Sequence, residues 1–281
     1  MNYYQILKRG ENFLKKSKIK NPYLDVELIL SKVVKKKREE IILNTNNKLK
    51  NTDILKFNNY LLRRYQNEPM AYILGYKHFW KNKFLTNKSV LIPRPDTELV
   101  IEKTLKYLPN DKSNKILDVG TGSGCIVVSL IKERPKCIAT AIDISLKAIN
   151  VAKTNAKLHQ LENKINFINI DIDKYKSYNY DLIISNPPYI NNIDFNRLDD
   201  DIKSHEPKLA LSGGSDGLRN IKKVIIKSKK LLKINGKLIL EIGHKQKNQC
   251  AKILNENKFY INQISKDLSG KERCIISTRL Q

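Results

Sequence analysis

Lys115-Ile-Leu-Asp-Val-Gly-Thr-Gly-Ser-Gly-Cys-Ile126 decides the fold of this 281-residue chain. An apolar run that reads as a strand meets three alternating glycines, and a helix begins directly after them. Gly120, Gly122 and Gly124, with Thr121 and Ser123 between them, permit positive φ and let a ligand approach the backbone with no Cβ in the way. Such a turn belongs at the carboxyl end of a parallel strand, where open α/β sheets bind ligands. Dinucleotide, adenosyl and phosphate sites share this outline. A dinucleotide fingerprint wants Gly or Ala three residues after Gly122, where this chain has Cys125. The Lys-Ser/Thr pair of a nucleotide P-loop is also missing. A purely structural glycine turn is the plain alternative. Downstream, strands are predicted over 115–119, 137–142, 165–170, 181–185 and 237–242, with helices over 125–133, 145–158 and 218–232. That alternation predicts an α/β domain with a mostly parallel sheet covered by helices on both faces. Apolar runs at 259–264 and 274–277 add a closing hairpin, which makes a mixed seven-stranded sheet.

Two further strand ends carry chemistry. Asp143 closes the second strand, where its carboxylate can accept from both hydroxyls of a ribose, and Ser145 follows as a helix N-cap. The plain alternative for Asp143 is a capping role. Asp171 and Ile172 lie at the end of the third strand, where an adenine would sit in a matching fold; solvated loop acids are the alternative for Asp171 and Asp173. The fourth strand ends in Asn186-Pro187-Pro188-Tyr189. Two prolines remove two backbone donors and fix φ, so the chain must leave the sheet in a stiff bend. That bend suits a planar nitrogen bearing two hydrogens: the Asn186 side-chain oxygen and the Pro187 carbonyl each accept one N–H, and Tyr189 stacks on the plane. Fixing both hydrogens aims a delocalised, poorly nucleophilic lone pair at an electrophilic methyl group.

Upstream, Tyr4, Leu7, Phe13 and Leu14, then Leu24, Leu28, Ile29 and Val33, then Ile54, Leu55, Tyr60, Leu61 and Leu62 recur at helical spacing. The expected organisation is a helical domain over 1–75, a β-hairpin linker over 76–95 built around His78, Phe79, Trp80 and Phe84, and the α/β domain over 96–281. Lys+Arg number 53 against 28 Asp+Glu, a net charge of +25. Of these bases 43 are Lys and 10 are Arg, beside 30 Asn, a mixture that coding bias toward A and T explains. Phosphate recognition favours the Arg fork, so direct nucleic-acid binding is not expected. The charge is nonetheless uneven: residues 1–85 carry 19 basic and 7 acidic residues, a net of +12, while the other 196 carry 34 and 21, a net of +13. A partner-facing N-terminal domain follows as an expectation. Cys125, Cys137, Cys250 and Cys274 form no Cys-x-x-Cys pair. The longest apolar stretch, 116–131, contains Asp118 and three glycines, which excludes a membrane helix. With no apolar signal region at the N-terminus, a cytoplasmic, membrane-free protein is expected. His78, His159, His205 and His244 are scattered, so no metal is expected, and Asp199-Asp200-Asp201 reads as a solvated face. Residues 190–215 read as a long loop, expected to act as a substrate lid. Arg94 reads either as ordering a loop or as a simple ion pair.

The chain resembles the S-adenosylmethionine-dependent N5-glutamine methyltransferases of peptide chain release factors. Besides the glycine loop and Asn186-Pro-Pro-Tyr189, the resemblance rests on Glu68-Pro-Met-Ala-Tyr-Ile-Leu-Gly75 and on Leu91-Ile-Pro-Arg-Pro-Asp-Thr-Glu98. It continues through Glu206-Pro207 with Ala210-Leu211, Gly213-Gly-Ser-Asp-Gly-Leu218, and Glu241-Ile-Gly243 with Gln246. It implies a Rossmann-like seven-stranded methyltransferase domain preceded by a small helical N-terminal domain that grips the release factor. It implies S-adenosyl-L-methionine as cofactor, lined by Gly120, Thr121, Gly122, Ser123, Gly124 and Asn186, with Asp143 on the ribose and Asp171 and Ile172 by the adenine. Ile172 stands where family members often carry an aromatic. Asn186, Pro187, Pro188 and Tyr189 are implied to bind the glutamine amide, and Asn186, Pro187 and Tyr189 to form the catalytic group. The implied reaction methylates the Gly-Gly-Gln glutamine of release factors in support of translation termination. The alternatives are a glutamine methyltransferase of a ribosomal protein and an amino-methyltransferase of adenine or guanine. The second would be expected to carry a base-reading domain.

Overall fold

A computed structural model describes residues 1–17 and 19–281. These residues group into two units: Met1–Tyr76 with Asp199–His205, and Lys77–Leu198 with Glu206–Gln281.

In the first unit, α1 (Tyr3–Leu14), α2 (Pro22–Val34), α3 (Arg38–Leu43), α4 (Asn51–Tyr65) and α5 (Met70–Leu74) enclose an apolar core. Asn2 caps α1 by accepting from Gln5 N at 2.9 Å, while Gln5 Oε1 accepts from Asn2 N at 3.0 Å, a reciprocal capping box. Pro22 starts α2 where its missing N–H costs nothing. Ile6, Leu14, Ile29, Leu30 and Ile41 are fully buried. Gly10 lets α1 approach α2, since a Cβ there would meet Val26 Cγ1 at 2.9 Å. Buried acids fasten the helices: Asp25 on α2 pairs with Arg64 on α4 at 2.6 Å, and Glu27 pairs with Arg38 on α3 at 2.6 Å. Helix α4 starts at Asn51, three residues before Ile54, the first apolar residue of its expected face. The short α3 and α5 escape periodicity altogether, because five or six residues do not complete two turns.

The second unit, from Lys77, begins with a hairpin of β1 (Tyr76–Phe79, whose first residue groups with the first unit) and β2 (Asn82–Leu85), a 3-10 turn at Pro95–Thr97 and α6 (Glu98–Leu105). Val90 and Ile92, inside the 76–95 span expected as a hairpin linker, are buried outside any strand. The main chain then runs β3 (Lys115–Val119), α7 (Cys125–Glu133), β4 (Ile138–Asp143), α8 (Leu146–Leu158), β5 (Ile165–Asn169) and β6 (Tyr180–Ser185). After a segment of short elements it continues through α12 (Arg219–Leu231), β9 (Leu232–Glu241), α13 (Lys247–Glu256), β10 (Phe259–Lys266) and β11 (Glu272–Arg279). The sheet order is β10-β11-β9-β6-β3-β4-β5; β9, β6, β3, β4 and β5 are parallel, and β11 and β10 close the edge antiparallel. Successive strand residues alternate between faces. Ile116, Leu182, Ile184 and Ile239 join the core that includes α6 and α7 residues, while Leu117, Ile183, Leu238 and Leu240 join the one that includes α12 and α13 residues. Strand β3 lies between β4 and β6, where the winding reverses direction. Open α/β sheets place their binding crevice at the carboxyl ends of strands at such a switch point.

The segment predicted as a long loop is a run of short elements instead: β7 (Ile190–Asn191), α9 (Asn192–Asn196), α11 (Lys208–Leu211) and β8 (Ser212–Gly214) in the second unit, and α10 (Asp200–His205), which groups with the first. Each is too short to leave a periodic trace. Strand β7 pairs with β8 in parallel, so the segment is tied at both ends rather than free to hang.

Candidate functional site

The glycine loop leaves β3 at Val119 with φ of +73°, +55° and +79° at Gly120, Gly122 and Gly124. Gly120 N and Thr121 N donate to Ile142 O at 2.9 and 3.1 Å, fixing the loop to the end of β4. A Cβ at Gly120 would meet nothing within 4 Å, and one at Gly122 only the Gly120 carbonyl at 4.0 Å. Open space therefore lies against these two positions. Gly124 has a different reason to be glycine: a Cβ there would press on Ala152 of α8 at 3.2 Å.

Asp143 ties the loop to β4, with Oδ2 accepting from Gly122 N and Oδ1 from Ser145 N, both at 2.9 Å. Each oxygen keeps a further lone pair. Burial raises its pKa while the backbone N–H groups lower it. Asn169 Nδ2 donates to Asp143 O and Ile144 O at 2.9 Å each, bringing the end of β5 to the same crevice. There Asp171 caps a 3-10 turn, accepting from Asp173 N at 2.9 Å, and Ile172 is buried. Asp118 lies under the loop and accepts from Thr121 Oγ1 at 2.7 Å; burial pushes its carboxyl up to about 7. Cys125 follows the loop, and burial pushes its thiol up to about 12, so it offers no nucleophilic thiolate.

On the neighbouring strand, Ser185 Oγ donates to Val119 O at 2.8 Å, locking the end of β6 to the end of β3. Asn186 Nδ2 donates to Thr97 Oγ1 at 3.2 Å. Among the described residues neither Asn186 Oδ1 nor the Pro187 carbonyl has a hydrogen-bond partner, so both remain acceptors. The Pro188 carbonyl accepts from Asn220 Nδ2 at 3.3 Å. Tyr189 donates its hydroxyl to Glu241 Oε1 at 3.2 Å, and its backbone carbonyl accepts from Gln246 Nε2 at 3.0 Å. Burial, then the Glu241 charge, raises the Tyr189 pKa and keeps its hydroxyl a donor.

Four residues that support this turn had no role in the sequence reading. Thr97, Glu241 and Gln246 fall inside the segments that carry the resemblance, and that is their only signal; Arg273 has none. Glu241 is 1% exposed at the end of β9. Burial pushes its carboxyl up to about 7, against the Thr97 hydroxyl, the Arg273 guanidinium and the Tyr189 hydroxyl, which lower it. Gln246 also donates to Gly217 O at 3.2 Å and accepts from Gly243 N at 2.8 Å. Arg94, left open by the sequence, pairs with buried Glu206 at 2.5 Å, and Glu206 also accepts from Ile92 N at 3.1 Å. A cleft of about 590 Å³ lies elsewhere, on the helical unit, between Arg9, Phe13, Lys16 and Leu61. Its described lining carries two basic side chains, Arg9 and Lys16, and no carboxylate, thiol, hydroxyl or imidazole. Among the described residues no helix is long and apolar enough to cross a membrane.

Residues 5–75 match the PrmC N-terminal domain family, and residues 97–203 match the methyltransferase small domain family. A bifunctional methyltransferase of Rickettsia bellii is 36% identical over 99% of this chain, and the chain spans 55% of that protein's length. A release factor glutamine methyltransferase of Coxiella burnetii is 37% identical over 92% of this chain and 93% of its own length. Among solved structures, a methyltransferase from Pyrococcus furiosus shares the fold at 18% identity, with a TM-score of 0.55 over 79% of this chain and 99% of its own. The helical domain, the methyltransferase sheet and the full-length likeness to the Coxiella protein agree: the chain belongs to the release factor glutamine methyltransferase family.

Proposed function

We propose that this protein transfers a methyl group from S-adenosyl-L-methionine to the side-chain nitrogen (N5) of the glutamine in the Gly-Gly-Gln motif of peptide chain release factors. The observation that carries the reading is the pair of unpartnered acceptors, Asn186 Oδ1 and the Pro187 carbonyl, on the strand next to a glycine loop that faces open space. The loop residues fit the cofactor. Gly120 to Gly124 leave room for it, both Asp143 oxygens retain lone pairs for a ribose diol, and Asp171 and Ile172 flank the neighbouring strand end where its adenine would lie. When bound, the cofactor supplies a methyl group made electrophilic by its sulfonium.

The chain's own residues orient the acceptor. Asn186 Oδ1 and the Pro187 carbonyl accept the two N–H groups of the glutamine amide, and Tyr189 covers its plane. As the nitrogen gains the methyl group it becomes positive and loses one of its protons to water; the two carbonyl oxygens stabilise that charge as it develops. No strong base is needed, because the methylated amide nitrogen is acidic. Release factors are the acceptor that the Coxiella relative's name specifies. The helical unit, with its dense positive charge and its cleft by Arg9 and Lys16, is the part we assign to gripping them. Release factors work on ribosomes, which puts the reaction in the cytoplasm.

The test supplies labelled cofactor and a purified release factor, beside the same factor with its Gly-Gly-Gln glutamine changed to alanine. Label in the first reaction alone is the expected result. Label in both would move the target to another side chain, and label in neither would turn the search to ribosomal proteins and RNA as acceptors.

A further inference from the structure

Asn155 is fully buried inside α8, where its neighbours Val151, Ala152 and Ala156 are apolar and buried too. A buried amide is costly unless its polar atoms are satisfied. Oδ1 accepts from Leu85 N at 2.7 Å, and Nδ2 donates to Leu85 O at 3.0 Å. Such a pair of bonds is what an adjoining strand would give, and it seats the β1–β2 hairpin on α8. A second strap joins the same two elements: His159 Nε2 lies 2.9 Å from Lys83 O, and its ring packs on Phe84 with centroids 5.2 Å apart. The other N–H of Asn155 leaves the hairpin and donates to Ser123 O at 2.8 Å, in the middle of the glycine loop.

We propose that Asn155 is the positioning residue of the cofactor loop, holding the Ser123–Gly124 peptide in a single orientation before the cofactor arrives. Ser123 stands between Gly122 and Gly124, whose φ values are +55° and +79°. Neither glycine has a Cβ to restrain the peptides it joins, so hydrogen bonds must do so. Gly122 N is held by the Asp143 carboxylate, and Gly124 N donates to Thr121 O at 2.8 Å. Asn155 holds the carbonyl at the opposite edge of that last peptide, so both ends of its plane are fixed. Packing acts in the same direction, because Gly124 lies against Ala152, one turn before Asn155 on α8. The amide works only one way round. Flipped, it would aim Oδ1 at the carbonyls of Leu85 and Ser123, and its NH₂ at the Leu85 N–H. A loop ordered in advance spends less binding energy on ordering itself, which raises affinity for what it binds.

This proposal rests on the reading of the glycine loop as the cofactor site, and the experiment separates the two. S-adenosyl-L-methionine is titrated calorimetrically into the wild-type chain, Asn155→Asp, Asn155→Ser, His159→Ala and Asp143→Asn. Melting temperatures and the kinetics of transfer to a release factor are recorded on the same preparations. Asn155→Asp keeps the acceptor for Leu85 N and loses both donors. Asn155→Ser removes the amide without burying a charge, and carries the test if the aspartate unfolds the domain. Each should weaken cofactor binding about tenfold, the worth of one hydrogen bond. The KM for cofactor should rise with it, while kcat at saturating cofactor falls far less. His159→Ala cuts a strap to the hairpin but leaves Ser123 held, so it should lower the melting temperature with cofactor affinity unchanged. Wild-type cofactor affinity in a folded Asn155 variant would overturn the positioning role and leave the cofactor site standing. An equal loss of affinity in His159→Ala would also overturn it, reducing Asn155 to a fastener of the hairpin. Unchanged affinity in Asp143→Asn as well as in the Asn155 variants would overturn the reading of the loop itself.

Discussion

The two turns at the heart of the second unit sit on neighbouring strands and are built in opposite ways. The glycine loop after β3 is held through its own backbone N–H groups: Gly120 and Thr121 donate to Ile142 O, and Gly122 donates to the Asp143 carboxylate, 21 residues away. The Asn-Pro-Pro-Tyr turn after β6 has lost two donors to proline, so side chains hold it from a distance. Glu241 is 52 residues from Tyr189, Gln246 is 57, Arg273 is 84, and Thr97 is 89 residues from Asn186. A site made of backbone depends on what its residues lack, namely a Cβ. A site made by remote side chains depends on the whole domain being folded, which makes the second turn the more vulnerable to substitutions far away in sequence.

Gln246→Ala tests that asymmetry with the largest expected effect on stability. It leaves the carbonyls of Tyr189 and Gly217 and the N–H of Gly243 without their partners. Denaturant unfolding should show a loss of about 2–4 kcal/mol. A loss under about 0.5 kcal/mol, within the range of an ordinary surface substitution, would mean the turn stands on its prolines alone. Asp143→Asn acts on the first turn and should be selective, weakening cofactor binding roughly tenfold by calorimetry, the worth of one charge-assisted hydrogen bond. A release factor affinity that fell equally would show that the two turns are not separate sites.

The smallest effect is one of slope against pH. Burial raises the Glu241 pKa from its ordinary value of 4.5 to about 7, so the folded state binds a proton more tightly than the unfolded chain. Its contribution favours the folded state at low pH and is lost as pH climbs from about 4.5 to about 7, at no more than about 1.4 kcal/mol per pH unit for one proton. Wild-type stability should therefore fall more steeply than that of Glu241→Gln across that window, and the two curves should run parallel above it. Parallel curves throughout would mean that Glu241 titrates normally.

The same asymmetry decided what the sequence disclosed. The glycine loop, Asp143 and the Ser145 cap are local patterns, and the alternation of strands and helices from β3 to β9 is periodic over lengths that reveal it. Asn186-Pro187-Pro188-Tyr189 was equally legible, because prolines at a strand end constrain the backbone whatever surrounds them. Its supports were not, since nothing in the neighbourhood of Arg273 or Gln246 says that sheet order will bring them to Tyr189. Residues 190–215 were misread for another reason: helices of four to six residues bury too little to impose a period. Asn169 ties the end of β5 to the end of β4, but an acid and an aliphatic residue just beyond it, Asp171 and Ile172, say little on their own.

The most direct test is methyl transfer to a purified release factor by Asn186→Ala at saturating cofactor. Loss of a group that stabilises charge in the transition state should slow transfer by about 10²–10³-fold in a protein that still melts cooperatively. Undiminished transfer would show that the turn after β6 does not hold the acceptor nitrogen, and the assignment of the chemistry to this site would fail.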